Sequence, residues 1–355
     1  GRDKLIVALP TSGVIQRWDL KTFEKDVTVA IPFPGRLTAI CMGSNSDGPL
    51  LVGTKGSIPE TQRNYGFMDI SKMTIIKGQV PSGGHNSPGG DAVHVRASAD
   101  GTVFGTWCTR GSPNGVESWV IEGDKVHNYY EHRSEGSIMP GPDGKFIYTS
   151  RNVYTRELKQ LHPSSNEWFI PARHGEYYLG ITNPGDRGNN NKGQVRLYIA
   201  PGDRQLVTLA GLDITSEYFR TVNDFTLDKR IWCLPMAKIL ITIPNTNDRL
   251  VIHKFDPEEA LEKSGIDYLF VQSQPPGTAT AGEIFSYQIK VRSKKGGVKF
   301  KLEGAPEEMA ISRDGLVTWT IPQDIEEEKT FIIVNISDAA GQEVYHNFEL
   351  KIIKP

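Results

Sequence analysis

A repeated unit of short, apolar, strand-like runs separated by turn-forming residues is the feature that most constrains the fold of this chain. The pattern shows well in residues 239–256, where an apolar, β-branched run is followed by turn formers at 245–248 and by a second, alternating run. Two such runs joined by an Asn/Asp cluster are typical of a β-hairpin. A similar hairpin occupies residues 5–20, and both hairpins end in an aromatic residue followed by Asp.

The same combination of runs and turns recurs up to residue 272 at a spacing of about 40–50 residues, which is typical of the blades of a β-propeller. In that fold each blade buries its faces against its neighbours. The sequence therefore predicts an all-β fold with a β-propeller over residues 1–273. Six blades are visible, and the last ends in a strand at residues 266–272.

The number of blades is left open by two parts of the sequence. The first unit shows only three runs, so either strands from both ends of the region complete one blade or a further blade precedes residue 1. Residues 213–234 are long for a single strand, and a seventh blade is possible there.

Residues 274–355 differ in character, because their alternating runs are longer and are separated by Gly-containing turns. Strand-like alternation occurs at residues 285–291, 299–302, 316–320, 331–337 and 344–353. This pattern predicts a small β-sandwich as a second domain.

Both regions resemble known families. Residues 5–272 resemble the WD40-like or YVTN-type propeller superfamily in their pattern, although they contain a single Trp-Asp pair, Trp18-Asp19. The C-terminal region resembles the putative-Ig, cadherin-like modules of bacterial surface and multidomain proteins. The residues that carry this second resemblance are Pro275-Pro276, Thr280-Ala281-Gly282, Phe285, Tyr287, Ala305-Pro306, Met309 and Gly315-Leu316-Val317-Thr318-Trp319. It implies an Ig-like sandwich without a calcium site, because the acidic linkers of calcium-binding cadherins are absent.

Composition excludes several partners. The net charge of −2 gives no electrostatic case for nucleic acid or an anionic membrane. No apolar run approaches the roughly 20 residues of a membrane span, and the short apolar run at the N-terminus is not a signal peptide. We expect no cofactor and no metal, and the Ig-like resemblance favours an extracytoplasmic location for a piece of a longer protein.

A Gly- and Pro-rich loop at residues 79–91 is the most unusual segment. It contains His85 and Asp91 and leads to His94 on a predicted strand. Loops of this kind often carry ligand contacts, so we include these three residues among the candidates. A metal site would use the same residues but lacks a metal-ligand spacing pattern, and a plain solvated loop remains an alternative.

A second candidate group consists of basic and polar residues at or just before the predicted starts of the first strands of the units, and these strands line the central channel of a propeller. They are Arg36, Arg96, His132, Arg133, Arg173, His174, Asn223 and Asp224. Convergent Arg and His side chains favour an anionic or carbohydrate ligand. From the two groups we predict a ligand-binding set of His85, Asp91, His94, Arg96, Arg36, Arg173, His174 and Asp224. The alternative is a channel filled with water and structural hydrogen bonds.

Two functions are compatible with these features. The absence of a nucleophile elbow, a P-loop and a dinucleotide-binding glycine pattern favours a non-catalytic binding module of a larger bacterial protein, with a protein or polysaccharide as its ligand. The alternative is a propeller-type lyase or hydrolase with an Arg/His site at the channel mouth. Seven aromatic residues offer a platform for sugars, but we expect most of them to pack between blades: Trp107, Trp119, Tyr129, Tyr130, Trp168, Tyr177 and Tyr178.

Overall fold

The computed structural model describes residues 3–56, 64–78, 93–109, 115–182, 193–214, 226–273 and 275–354. The chain divides into two compact units, residues 1–260 and 261–355. Among the described residues there is one α-helix, α1 (Pro257–Lys263), and almost all other regular structure is β-strand. In the same ranges, no helix has the length and apolar character needed to cross a membrane.

In its described residues the N-terminal unit contains six successive sheets, and in each of them consecutive strands are antiparallel neighbours. Sheet 1 contains β1 (Lys4–Leu9), β2 (Val14–Asp19) and β3 (Lys25–Ala30). Sheet 2 contains β4 (Arg36–Cys41), β5 (Leu50–Lys55), β6 (Tyr65–Asp69) and β7 (Thr74–Ile75). Sheet 3 contains β8 (Val93–Ala97), β9 (Val103–Cys108), β10 (Val116–Glu122) and β11 (Lys125–Glu131).

The second half of this unit repeats the arrangement. Sheet 4 contains β12 (Met139–Pro140), β13 (Phe146–Tyr148) and β14 (Val153–Thr155). Sheet 5 contains β15 (Glu167–Pro171), β16 (Tyr177–Thr182), β17 (Gly193–Ile199) and β18 (Val207–Ile214). Sheet 6 contains β19 (Ile231–Leu234), β20 (Ile239–Thr242) and β21 (Val251–Lys254). The predicted all-β fold of repeated small sheets is confirmed, whereas the place suggested for a seventh blade lies largely outside the described residues.

Neighbouring sheets pack face to face through apolar clusters. Ile15 and Leu50 belong to a cluster shared by sheets 1 and 2, and Phe104 and Trp119 to one shared by sheets 2 and 3. A third cluster joins sheets 3 and 4, and the rings of Tyr148 and Tyr178 join sheets 4 and 5. Trp119 and Tyr178 are fully buried, so these two aromatic residues pack between sheets, as predicted.

The first strands of consecutive sheets are also neighbours, in the order β4, β8, β12 and β15. After β15, the backbone N–H of Arg173 donates to the carbonyl of Cys233 in β19, at 2.9 Å. The first strands of sheets 2 to 6 therefore follow one another around the inner side of the unit, which gives it a propeller-like arrangement.

The internal repeat has a different register from the one predicted. The β1–β2 connection contains the 3-10 turn Pro10–Ser12, with Leu9 at φ −117°, ψ 84° and Gly13 in the left-handed region. The β19–β20 connection contains the turn Pro235–Ala237, with Leu234 at the same angles and Lys238 left-handed. The first hairpin thus corresponds to β19–β20, not to β20–β21, because a Leu-Pro pair fixes the same turn in both.

The aromatic–Asp pair, which suggested that residues 5–20 correspond to β20–β21, indicates only a local turn. Asp19 accepts hydrogen bonds from the backbone N–H groups of Lys21 and Thr22. Asp256 accepts from those of Glu258 and Glu259. An Asp side chain that binds N–H groups two and three residues ahead stabilises many kinds of turn, so it does not identify equivalent strands.

The predicted last strand of the sixth blade is wrong. Within residues 266–272 the structure has β22 (Leu269–Val271), which pairs with β25 (Val291–Ser293) in the C-terminal unit. The sequence pattern identifies an apolar strand there but not its partner. The division between the units falls between residues 260 and 261, whereas the sequence-based boundary lies between residues 273 and 274.

The C-terminal unit has two larger sheets beside the β22–β25 pair. One has the order β23 (Thr278–Thr280), β30 (Glu343–Ile353), β29 (Lys329–Ser337) and β26 (Lys299–Gly304). The other has the order β24 (Ile284–Gln288), β28 (Leu316–Thr320) and β27 (Ala310–Ile311). Phe285 and Trp319 of the second sheet share one core with Ile332, Val334 and Leu350 of the first.

Candidate ligand-binding site on the first strands

The predicted ligand-binding residues are only partly described. His85, Asp91, Asn223 and Asp224 lie outside the described residues. Arg36 is the exposed first residue of β4. His94 and Arg96 lie on β8, whereas Arg173 and His174 follow the end of β15 and do not precede it, contrary to the prediction for first-strand starts.

An ion pair joins sheet 3 to the segment that leads into sheet 6. Arg96 Nε donates to Asp228 Oδ2 at 2.6 Å, and Arg96 Nη2 donates to Thr226 Oγ1 at 3.2 Å. Asp228 lies in the 3-10 turn Leu227–Lys229, and Thr226 Oγ1 also donates to its carboxylate. Because β12 and β15 lie between β8 and β19 in the order of first strands, this pair spans the inner side of the unit.

Trp107 fixes the orientation of Arg96. The guanidinium carbon of Arg96 lies 5.4 Å from the centre of the Trp107 ring, and the imidazole of His94 is stacked on the same indole, with centroids 5.1 Å apart. His94 and Trp107 are a cross-strand pair of β8 and β9. Since Trp107 is buried, it acts as a rigid support for the arginine and not as an open platform for sugars.

The Asp228 carboxylate is ionised in a buried position. Burial acts to raise the pKa of Asp228, but the charge and the hydrogen bonds of Arg96 outweigh this effect and hold the pKa below its usual value. A buried ion pair of this kind is compensated only when its hydrogen bonds are complete. The contacts from Arg96 and Thr226 provide that compensation.

Arg173 belongs to the same electrostatic environment. Desolvation lowers the pKa of Arg173, the negative charge of Asp228 opposes the shift, and the positive charge of Arg96 adds to it. The side chain is nevertheless exposed to solvent, so protein surrounds it on one side and leaves another side open. We define Arg96, Arg173 and Asp228 as the central arginine cluster, in which Arg96 is hydrogen-bonded to Asp228 and the charges of both residues act on the pKa of Arg173.

The other predicted polar residues have local partners. Tyr130 Oη lies 2.8 Å from His132 Nδ1. Arg133 Nη1 donates to Gln160 Oε1 at 3.2 Å. The sequence therefore placed His132 and Arg133 in one group with Arg96, whereas in the structure they contact residues near them in their own part of the unit. It also missed Thr226 and Asp228, which lie at the turn before β19 and are joined by a hydrogen bond from the Thr226 hydroxyl to the Asp228 carboxylate.

Two buried carboxylates in this unit are committed to structural hydrogen bonds. Glu135 accepts from Thr149 Oγ1, Asn152 Nδ2 and Tyr154 Oη, at 3.0, 2.7 and 2.8 Å. Glu167 accepts from Tyr198 Oη at 2.7 Å and from Arg196. Searching the described ranges for groups of three or more His, Cys, Asp or Glu side chains that could hold a metal ion gives none.

Comparison with known proteins gives no family. No family model matches the chain, and no curated protein matches it. Hydrazine synthase of Kuenenia stuttgartiensis is similar in structure at 14% identity and a TM-score of 0.43, over 74% of this chain and 77% of that one.

Two further solved structures are similar at the same low level. The dihydro-heme d1 dehydrogenase NirN in complex with DHE matches at 11% identity and a TM-score of 0.42, over 98% and 64% of the two chains. TolB from Acinetobacter baumannii matches at 18% and 0.31, over 56% and 50%. Because the TM-scores are below 0.5, these likenesses carry no argument, and the fold rests on the strand pairing described above.

Proposed function

We propose that the chain is a non-catalytic binding module that takes a carboxylate-bearing protein or polysaccharide at the central arginine cluster. The observation that carries the proposal is the state of Arg173. Its side chain is exposed and makes no hydrogen bond to any other described residue, and the positive charge of Arg96 acts on its pKa. A guanidinium in this position is suited to a bidentate interaction with a carboxylate.

The three members of the cluster have different roles in this proposal. Asp228 and Trp107 hold Arg96 in place, so Arg96 contributes positive charge without moving. Arg173 is the group that contacts the ligand. Because Asp228 neutralises only one of the two arginines, the cluster attracts an anion, and its fixed members need little reorganisation when the anion binds.

The buried carboxylates support binding over catalysis. A lyase or hydrolase with a site among these residues needs a carboxylate or imidazole that is able to exchange a proton with its substrate. Glu135 and Glu167 are instead hydrogen-bonded within their own sheets, and Asp228 is held by Arg96. We therefore keep the binding module as the proposed function.

The finer features of the fold belong to the same proposal. We infer a propeller of six or seven blades, followed by an Ig-like, cadherin-like sandwich. Such a combination suits an extracytoplasmic bacterial protein in which this chain is one part. The consecutive sheets of the N-terminal unit and the shared core of the two C-terminal sheets support this inference.

Binding to a glycan array that contains polyuronates, neutral glycans and sulfated glycans tests the proposal, with acidic and neutral peptides printed beside them. We expect acidic ligands to be retained and neutral ones not. Arg173→Gln should weaken retention about tenfold, the equivalent of about 1.4 kcal/mol, because one charge-assisted interaction is lost.

The matched control is Arg204→Gln, which removes an exposed arginine between β17 and β18 of the same unit. It should leave retention unchanged. Equal retention of neutral and acidic ligands, or an equal loss in both variants, would contradict the proposed role of Arg173.

A further inference from the structure

A cavity of about 670 Å³ lies within the C-terminal unit. It is formed by the end of β26 and the loop after it, by the loop that joins β28 to β29, and by the first residues of β29. The residues that line it are Gly304, Ala305, Pro306, Glu307, Trp319, Pro322, Asp324, Ile325, Glu326, Glu327, Thr330 and Phe331. Its size falls in the range of about 300–1,000 Å³ that is usual for ligand pockets.

The walls of the cavity are held by the fold. One loop contains a turn in which the N–H of Met309 donates to the carbonyl of Pro306, and the other contains a turn from Ile325 to Pro322. Trp319 is 3% exposed and belongs to the core of the unit, whereas Phe331 is 62% exposed at the margin of the cavity. A pocket with an anchored aromatic wall and an exposed aromatic margin is largely formed before any ligand arrives.

The charge of the lining has one sign. Glu307, Asp324, Glu326 and Glu327 are acidic, and no basic residue lines the cavity. None of the four forms an ion pair with another described residue. Nearby carboxylates of the same unit behave differently, since Glu303 pairs with Lys301 at 2.8 Å and Glu349 pairs with Lys329 at 3.0 Å.

We propose that this cavity binds a basic, extended segment of a partner protein. Arginine or lysine side chains of that segment would lay their aliphatic stems on Phe331, Ile325 and the two prolines, with their charged ends at the four carboxylates. The ring of Phe331 already accepts a cation within the chain, because Lys329 Nζ lies 5.3 Å from its centre. Charge complementarity therefore determines the partner's chemistry.

A peptide fits the cavity better than a single small cation. The acidic groups come from two separate loops, so a ligand that meets all of them has to carry more than one positive charge. In addition, Gly304 ends β26, which is the terminal strand of its sheet. An extended peptide can lie beside such a strand while its side chains enter a neighbouring pocket.

The test uses the full chain and a fluorescently labelled peptide of alternating Arg and Leu. A peptide of alternating Glu and Leu and the singly charged cation methylguanidinium serve as comparison probes. We expect the basic peptide to bind with an affinity that falls as salt is added. The double variant Glu326→Gln/Glu327→Gln should lower the affinity about tenfold, and Phe331→Ala should lower it by a similar factor.

Glu283→Gln is the matched control, because Glu283 is an exposed acid of the same unit that does not line the cavity. It should bind the peptide as the unchanged chain does. Circular dichroism of each variant checks that it is folded, which the exposure of all four substituted residues favours. The proposal is overturned if the acidic peptide binds as well as the basic one, if methylguanidinium binds as tightly as the basic peptide, or if the cavity variants bind the basic peptide with unchanged affinity.

Discussion

The two units of the chain differ in how their strands find partners. In the N-terminal unit every sheet consists of consecutive strands, so each strand pairs with the next one along the chain. In the C-terminal unit β23 pairs in parallel with β30. β22 pairs with β25, although β23 and β24 lie between these two strands in the sequence. Turn residues specify the first kind of pairing locally, whereas the second depends on the whole domain.

The two units also differ in how their charged side chains are placed. The N-terminal unit brings Arg96 and Asp228 together across its inner side, although they are 132 residues apart in sequence. The C-terminal unit places four acidic residues around a cavity, and none of them forms an ion pair with another residue in the described ranges. Sheets made of consecutive strands can therefore still bring together residues that are far apart in sequence. The packing of one sheet on another determines these contacts, whereas the strand pairing within each sheet does not.

The largest effect is expected from removing core side chains in each unit. Trp119→Ala should cost about 3–5 kcal/mol and Ile332→Ala about 2–5 kcal/mol, since both side chains are fully buried. Hydrogen exchange measured by mass spectrometry should show the loss from Trp119→Ala mainly in sheets 2 and 3, which share its cluster. For Ile332→Ala it should show the loss in both facing sheets of the C-terminal unit. If Trp119→Ala lowered hydrogen-exchange protection equally in sheets 2 and 5, the result would contradict the view that each cluster stabilises mainly the sheets that share it.

A smaller effect is expected from Asp228→Asn, which leaves the Arg96 guanidinium without its counter-charge. The variant should be less stable by about 3 kcal/mol at neutral pH, at the low end for a broken buried pair, because Arg96 is partly exposed. The pKa of Asp228 is lowered in the folded state, so the ionised carboxylate stabilises the fold above its unfolded pKa of about 4. That contribution is lost as the pH falls through the folded value.

Urea denaturation at a series of pH values checks this prediction. The difference in unfolding free energy between the unchanged chain and Asp228→Asn should be largest near neutrality and should shrink below pH of about 4. A difference that stays constant down to low pH would mean that the carboxylate charge does not contribute.

The smallest effect is expected at the repeated Leu-Pro turn. Gly13 has φ +65° and an added Cβ would meet nothing within 4 Å, so Gly13→Ala should cost about 1 kcal/mol through backbone conformation alone. Gly277→Ala is the matched change in the other unit, where a Cβ also has open space and φ is not positive. It should be neutral or slightly stabilising, and equal losses by thermal unfolding would contradict the role assigned to the turn.

The sequence predicted most strands of the N-terminal unit because their signals are local. The Asp-Gly turns at Asp100-Gly101 and Asp143-Gly144 lie between the first and second strands of sheets 3 and 4, and both glycines have positive φ. The partner of β22 was not predictable in this way, since an apolar run at residues 266–272 fits a blade or a sandwich equally well. The Leu-Pro pairs at Leu9 and Leu234 were present in the sequence and give the correct repeat register.

The candidate sites were predictable only in part. Arg96 and Arg173 were identified as inner polar residues, but Asp228 was not, because no local pattern reports a partner so far along the chain. The acidic cavity was missed for a similar reason. Its carboxylates come from loops that look like ordinary solvated turns in sequence and become a site only when β26 and β29 pair.

The most direct test of the account is a double-mutant cycle of Arg96→Gln and Asp228→Asn, with unfolding free energies measured by urea denaturation. If the first strands bring sheet 3 against the segment before sheet 6, the two residues should show a coupling energy of about 1–3 kcal/mol. If the effects of the two substitutions add to within about 0.5 kcal/mol, the residues do not interact, and the central arginine cluster does not exist.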